Sequence, residues 1–409
     1  MHKESAGKSR VKVLHLATID LGGAYKAAVR ISESMQKCGV DSEILIRTKV
    51  HDDTQAMEIF KNPIQKFGSK AKNVINLTLS KKDIISDYLG TDVSAHPMVR
   101  DADVLVLHWV NSFLSYRSVE KLLATGKTVI WVMHDMWTFT GGCHYDGYCG
   151  GYAHDCGNCP HMESRKENDL SRRNFVRKTR AIKSGKMIFV GPSQWSVDCA
   201  GKSRITEGQR IVRILNPVNR DVFYRRDNIP MLKKKYGIPA DRKIILFGAT
   251  QADNNKIKGM QYLDEALCGL SEREYAVVIF GNQGGVRLTN DKLEVRCLGP
   301  VKQEDELAEI YSCADVFAAP SLQEAFGYTV SEALSCRVPV AAFAVGGIKD
   351  QVRHLVNGYL APAKDARELL AGIRWCTDAD NQIRIRQAAL PDNDYMTIGS
   401  AYEALWNNA

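Results

Sequence analysis

No stretch of this 409-residue chain approaches the roughly 20 consecutive apolar residues that a membrane-crossing helix requires. The opening MHKESAGKSRVKVLHLA also lacks the apolar centre of a secretory leader, so a cytosolic chain with reduced thiols is expected. Solenoid-period repeats and low-complexity tails are missing too, which sets aside repeat and disordered architectures. A dehydrogenase would place G-x-G-x-x-G after its first strand and an acidic residue at the end of its second. Here the first strand runs into TIDLGGAYKAA and the second ends in LIRTK. No Gly-Lys-Ser/Thr follows a strand at P-loop spacing, so nicotinamide and P-loop chemistry are both disfavoured.

What is present is an ordinary globular composition, 44% hydrophobic and 25% charged, with a formal charge of +8 that suits anionic partners without selecting one. A chain this long outgrows a single core, and two domains are expected. Short apolar runs bounded by turn residues recur between helical spacings, the pattern of parallel strands covered on both faces. In the first half they are 11–18, 42–48, 102–109, 128–135 and 186–193; in the second, 243–250, 276–281, 294–299, 315–321 and 339–345. Ala24, Ala27, Ala28, Ile31 and Met35 form the apolar stripe of a first helix that Gly39 ends. The fold class is α/β, with two doubly wound units, and ligands are expected at the carboxyl ends of the strands, in a cleft between the units.

PSLQEAFGYTVSEALSCRVPVAAFAVGG places Glu324 and Glu332 seven residues apart, with a helix expected to begin between them. The amides of Phe326, Gly327, Tyr328 and Thr329 would then sit at a helix N-terminus, a setting that suits a diphosphate. This stretch resembles the E-x7-E signature of the retaining nucleotide-sugar glycosyltransferases of family 4. The likeness continues through GGAYKAAVRISESMQKCGVDSEILI, VMHD, ILNPVNRDVF, KKKYGIPADRKIILFGA, KIKGMQYLDEAL and VNGYLAPAKDARELLAGI, in order along nearly the whole chain.

The resemblance implies a GT-B fold: an acceptor-side domain at 1–212, completed by a crossover helix at about 391–409, and a nucleotide-sugar domain at 213–390. It also implies that Glu332 binds the ribose hydroxyls, Glu324 the transferred sugar and Lys258 the phosphates. Gly22 and Gly23 would approach the diphosphate, and His134 the sugar. Two positions depart from the family: Ala249 stands after Gly248 where an Arg is usual, leaving Lys256 as the substitute cation, and the linker reads Asn-Pro-Val-Asn. Singly, each residue has a duller reading as a helix-end carboxylate, a solvated lysine, a strand-end histidine or a turn.

The implied activity is sugar transfer with retention from a nucleotide sugar to a glycan acceptor, lipid-linked, in polysaccharide biosynthesis. No catalytic metal is expected, since no Asp-x-Asp is placed to hold one. The alternatives are a GT-B epimerase or phosphorylase and, from another class, a zinc-containing nucleic-acid-binding protein. Family order favours the transferase, for which no nucleic-acid partner is expected.

Two segments stand apart. Between Lys61 and Lys82 lie six lysines and no acidic residue, with Phe67, Val74, Ile75 and Leu77 interspersed; such a stretch either lies on an anionic membrane surface or is a solvated helical face. GGCHYDGYCGGYAHDCGNCP packs Cys143, Cys149, Cys156 and Cys159 into 17 glycine-rich positions. A structural zinc held by these four, with His144 and His154 as substitute ligands, is the expectation for reduced thiols at this spacing.

Overall fold

The computed structural model describes residues 10–52, 54–60, 62–248, 256–282 and 284–407. Lys61 and Ala249 lie outside the described residues, as does the side chain of Lys256. The chain divides into two compact units, one running to Pro217 and resuming at Tyr395, the other Val218–Asp394.

In chain order the first unit holds β1 (Lys12–Ile19), α1 (Gly22–Lys37), β2 (Asp41–Thr48), β3 (Met57–Glu58), α2 (Pro63–Leu79), α3 (Pro97–Asp101), β4 (Val104–Leu107), α4 (Tyr116–Leu123), β5 (Thr128–Val132), α5 (Leu170–Ile182), β6 (Ile188–Gly191), α6 (Gln194–Ala200) and β7 (Arg210–Arg213). The second holds α7 (Ile229–Tyr236), β8 (Lys243–Gly248), α8 (Met260–Leu267), β9 (Tyr275–Phe280), β10 (Glu294–Gly299), α9 (Glu304–Ser312), β11 (Val316–Ala319), α10 (Tyr328–Ser335), β12 (Val340–Phe343), α11 (Ile348–Gln351), β13 (Gly358–Ala361), α12 (Ala366–Cys376) and α13 (Ala379–Gln387). The last helix, α14 (Tyr395–Asn407), returns to the first unit and packs on α1, where Tyr395 Oη donates to Glu33.

Each sheet is parallel, in the orders β3-β2-β1-β4-β5-β6-β7 and β10-β9-β8-β11-β12-β13. Central strands such as VLVL and YAVVIF are buried at every residue because helices cover both faces, which is why they read as unbroken apolar runs. Strand order reverses between β1 and β4 in one unit and between β8 and β11 in the other. The carboxyl ends of those strands are where such sheets bind ligands.

The expected strands 102–109 and 128–135 stop earlier, at Leu107 and Val132, because His108 and His134 turn off the sheet to meet one another. β3, β7 and β13 were not foreseen; β3 has two residues, and β7 is an edge strand with no fully buried position. Asp169 caps α5 through the N–H of Arg172 and also accepts the N–H of Cys159, tying the cysteine loop to that helix.

Candidate active site

At the switch point of the second unit, Lys258 Nζ lies 2.6 Å from Glu324 Oε2, both side chains part-buried. Lys258 follows β8 and Glu324 follows β11, so the ion pair bridges the two strand ends where the order reverses. Backbone crossings hold this geometry. Leu322 N–H donates to Ile257 O at 2.8 Å, and a Cβ on Gly259 would collide with the carbonyl of Pro320. On the far side Gly347 N–H donates to Glu324 O at 2.9 Å, while Gly346, with φ +47°, leaves no room for a Cβ against that carbonyl. Glu324 therefore sits on a loop whose approach to both neighbours depends on glycine.

From Glu324 the chain passes Phe326, whose carbonyl accepts from Gln351, to Gly327, the N-cap of α10. Tyr328 and Thr329 open the helix, so the amides of Phe326 to Thr329 flank its positive end. Lys256 begins a 3-10 turn that ends at Lys258.

Residues 241–378, a span that includes every strand of the second sheet, match the family glycosyl transferases group 1. The second unit carries a glycosyl transferases group 1 domain. The chain is similar to the D-inositol 3-phosphate glycosyltransferase of Xylanimonas cellulosilytica, at 36% identity over 145 residues, 33% of this chain and 34% of that one. It is also similar to the N-acetyl-alpha-D-glucosaminyl L-malate synthase of Bacillus anthracis, at 29% identity over 182 residues, 41% of this chain and 46% of that one. It thus spans less than half the length of these curated relatives. In three dimensions it is similar to Anabaena HepE in complex with UDP, with a TM-score of 0.65 at 15% identity over 98% of this chain and 100% of that chain. That likeness shows the fold, which is GT-B.

Within the glycosyl transferases group 1 domain, Glu332 lies on α10 at 1% exposure, and its Oε2 accepts from Tyr311 Oη at 3.2 Å. Tyr311 is itself enclosed by Phe223, Phe280 and Phe317, so this carboxylate is fixed from the core side. The sequence pointed to Glu332 but gave no hint of Tyr311.

In the first unit, Gly22 and Gly23 open α1 directly beyond β1, with Gly22 at φ +80° and open space where either Cβ would lie. Asp20 steadies this turn, its carboxylate accepting the N–H groups of Val50 and His51 at 2.8 and 2.9 Å. His134 does not stand alone. His15 in β1, His108 beyond β4 and His134 beyond β5 form a stacked row, with Nδ1 of His15 2.8 Å from Nε2 of His108 and Nδ1 of His108 2.9 Å from Nε2 of His134. Burial pushes His15 down to about 3 and His134 down to about 4, and it holds His108 well below its ordinary value, so all three rings are neutral near pH 7.

A neutral ring carries one N–H, so the protons must run in one direction along the row. His15 Nε2 is buried without a partner. If the run were reversed, a buried N–H would be orphaned there, whereas the forward run leaves only a bare lone pair. On this assignment His134 carries its proton on Nδ1.

Beyond His134, Asp135 caps a 3-10 turn and pairs with His144 Nδ1 at 2.6 Å. The cysteine loop follows. All four cysteines line one cavity of about 130 Å³, together with Thr140, Asp146 and His161. Neither expected substitute ligand lines it: Asp135 holds His144, which stacks on Trp109, and His154 points to solvent.

Proposed function

We propose that the chain is a retaining glycosyltransferase that moves a sugar from a nucleotide sugar to a glycan acceptor. The observation that carries this reading is the Lys258–Glu324 pair at the β8/β11 switch point, next to the N-terminus of α10, in a glycosyl transferases group 1 domain. Lys258, with Lys256 as second cation, neutralises the diphosphate, to which the amides of Phe326, Gly327, Tyr328 and Thr329 add partial positive charge. Glu324, steadied by Lys258, accepts hydrogen bonds from the sugar, and Glu332 accepts from the ribose. In the first unit taken by itself, Gly22, Gly23 and the Nδ1–H of His134 are the groups offered for hydrogen bonding to phosphate or sugar oxygens.

The acceptor hydroxyl oxygen bonds to the anomeric carbon as the bond from that carbon to the phosphate oxygen breaks. The proton of the hydroxyl passes to the departing diphosphate on the same face, which keeps the configuration. The protein supplies orientation and charge stabilisation, and the step needs no protein base.

The acceptor is lipid-linked on this reading, as for an exported polysaccharide, and α2 supports it. Ile64, Phe67, Val74, Ile75 and Leu77 are exposed along that helix, Phe67 by 75%, while its one buried side chain is Asn76, bonded to both backbone groups of Leu89. Lys70 and Lys72 are exposed on the same helix, whereas Lys66 pairs with Glu58. An apolar stripe with lysines beside it fits an anionic bilayer surface. No described helix is long and apolar enough to cross a membrane.

The test is incubation of the purified chain with a panel of nucleotide sugars and lipid-linked oligosaccharides. Release of nucleoside diphosphate with the donor's anomeric configuration kept in the product, read by proton NMR, is expected. Inversion would end the retaining assignment. An isomerised sugar with no transfer would favour an epimerase.

A further inference from the structure

We propose that Cys143, Cys149, Cys156 and Cys159 bind one zinc ion as four thiolates, and that this ion orders the loop from Gly141 to Pro160. All four thiols line one cavity, and none is joined in a disulfide. Apolar packing holds the loop at two places: Cys143 and Cys159 share a small cluster with Ile84, Leu170 and Met162, and Tyr152 enters the unit's main core beside Phe139, while the glycine-rich turns between them contribute no core. Its turn is also unusual, because Cys156, Gly157 and Asn158 all take left-handed backbone angles, of +59°, +99° and +47°. Two of these are not glycine, and the run is held by the N–H groups of Cys156, Gly157 and Asn158 donating to Gly151 O, Ser171 Oγ and Lys166 O, which keeps Cys156 and Cys159 in the lining of the cavity.

Backbone amides aimed at the sulfurs supply the second line of argument. Gly151 N–H donates to Cys149 Sγ at 3.4 Å. The backbone N–H of Gly141 is directed at the Cys156 sulfur, and those of Met162 and His161 at the Cys159 sulfur. Three of the four sulfurs, the exposed Cys149 and the more enclosed Cys156 and Cys159, thus already have amide donors aimed at them, an arrangement that orients sulfur ligands around a metal.

Four thiolates around zinc carry a net charge of minus two, and a buried counter-charge is at hand. Lys178 on α5, 1% exposed, bonds to the carbonyls of Trp137 and Thr140, and the charges of Cys143 and Cys156 act on it. Among the described residues no three His, Cys, Asp or Glu side chains converge closely enough to grip an ion as they stand. The thiols must therefore turn inward to reach zinc–sulfur distances of about 2.3 Å. Binding converts four thiols to thiolates and releases their protons, so zinc affinity falls with falling pH.

The full chain, purified without chelator, is expected to hold about one zinc per chain by elemental analysis. Replacing zinc by cobalt should give the thiolate-to-cobalt charge transfer and intense visible bands of a tetrahedral all-sulfur site. Cys156→Ser with Cys159→Ser should lose the metal, and Cys268→Ser in the second unit should keep it. A second measurement, which does not depend on the double variant folding, uses the wild type alone: Arg165 and Lys166 are exposed and Lys166 O accepts from Asn158 of the loop, so chelation should speed trypsin cleavage after them and added zinc should slow it again. A metal-free chain that takes up neither zinc nor cobalt, a mass showing disulfides among the four, a cobalt spectrum with a nitrogen ligand, zinc retained in the double variant, or trypsin sensitivity indifferent to zinc would each overturn the proposal. None of these readouts involves sugar transfer, so the inference stands or falls apart from the function proposed above.

Discussion

The two strand-order reversals are built alike and loaded differently. Beyond β8 and β11 the second unit sets a lysine–carboxylate pair against a helix N-terminus; beyond β1, β4 and β5 the first sets a row of three neutral imidazoles. One place is charged and suits a diphosphate. The other keeps its rings uncharged by burial and offers hydrogen bonds of fixed direction, which suits hydroxyls. The same topology can thus carry a charged cluster in one unit and a neutral hydrogen-bonding row in the other, because the topology fixes only where the loops converge.

The charged site should break most sharply. Lys258→Met removes the cation and leaves Glu324 unpaired, and loss of one preorganised donor at a developing charge costs roughly 10²–10³ in turnover. Initial rates of nucleoside diphosphate release measure this. A variant within a few-fold of wild type would remove Lys258 from the reaction and end the contrast between the units. Glu332→Gln is the milder test. Weakening a charge-assisted hydrogen bond costs about 1.5–3 kcal/mol, roughly ten- to a hundred-fold in donor affinity by calorimetry. An unchanged affinity would mean that the carboxylate serves the packing around Tyr311 and not the ribose.

The second unit was the more legible because its candidate groups lie within one short stretch. Glu324, the α10 N-terminus and Glu332 share a local motif, so their spacing is visible before any fold is known. The histidine row has no such signature. His15 sits inside an apolar strand and reads as a core residue, and only the pairing of β1 with β4 and β4 with β5 brings it to His108 and His134. The same holds for Asp87, raised to about 7 by burial, and for Lys178, lowered to about 8 by burial; they lie far apart in sequence, and only the fold brings each within electrostatic reach of the other. The cysteines were conspicuous because their chemistry is local, while the amides aimed at them required backbone geometry. For α2 the sequence supplied the stripe, and the structure added that the stripe faces outward and that Asn76 anchors the inner side.

The outward face of α2 gives an intermediate effect and extends the comparison to membrane contact, since among the described residues the exposed large apolar side chains on the second unit's α-helices are single ones, Met231 on α7 and Ile383 on α13. Phe67→Ser removes one exposed aromatic that would enter the bilayer, worth about 1.5–3 kcal/mol. Lys70→Gln and Lys72→Gln remove about 1 kcal/mol each near an anionic surface. Sedimentation with phosphatidylglycerol vesicles at low salt should show all three losses, and Phe67→Ser should still bind weakly at high salt where the lysine term is screened. Wild-type protein that stays in the supernatant would remove the membrane from the function proposed here.

The smallest effect, and the one that best separates a hydrogen-bonding row from a charged one, is the acid dependence of the first unit's stability. His15 and His134 have folded values of about 3 and about 4, below the ordinary 6.5, so an unfolded chain binds protons between those values that the native chain does not. Stability from this source is fully present above pH 6.5 and is lost as the pH falls toward 4. For a unit of this size, each kcal/mol lost lowers the unfolding midpoint by roughly 2–4 °C. His15→Leu removes one of the rings and should flatten the slope between pH 6.5 and 4 in a calorimetric scan, even though it leaves His108 Nε2 without its partner and lowers the midpoint at pH 7. A slope as steep as that of the wild type would show that these rings are already charged in the native state, and the proton direction assigned to His134 would fail with it.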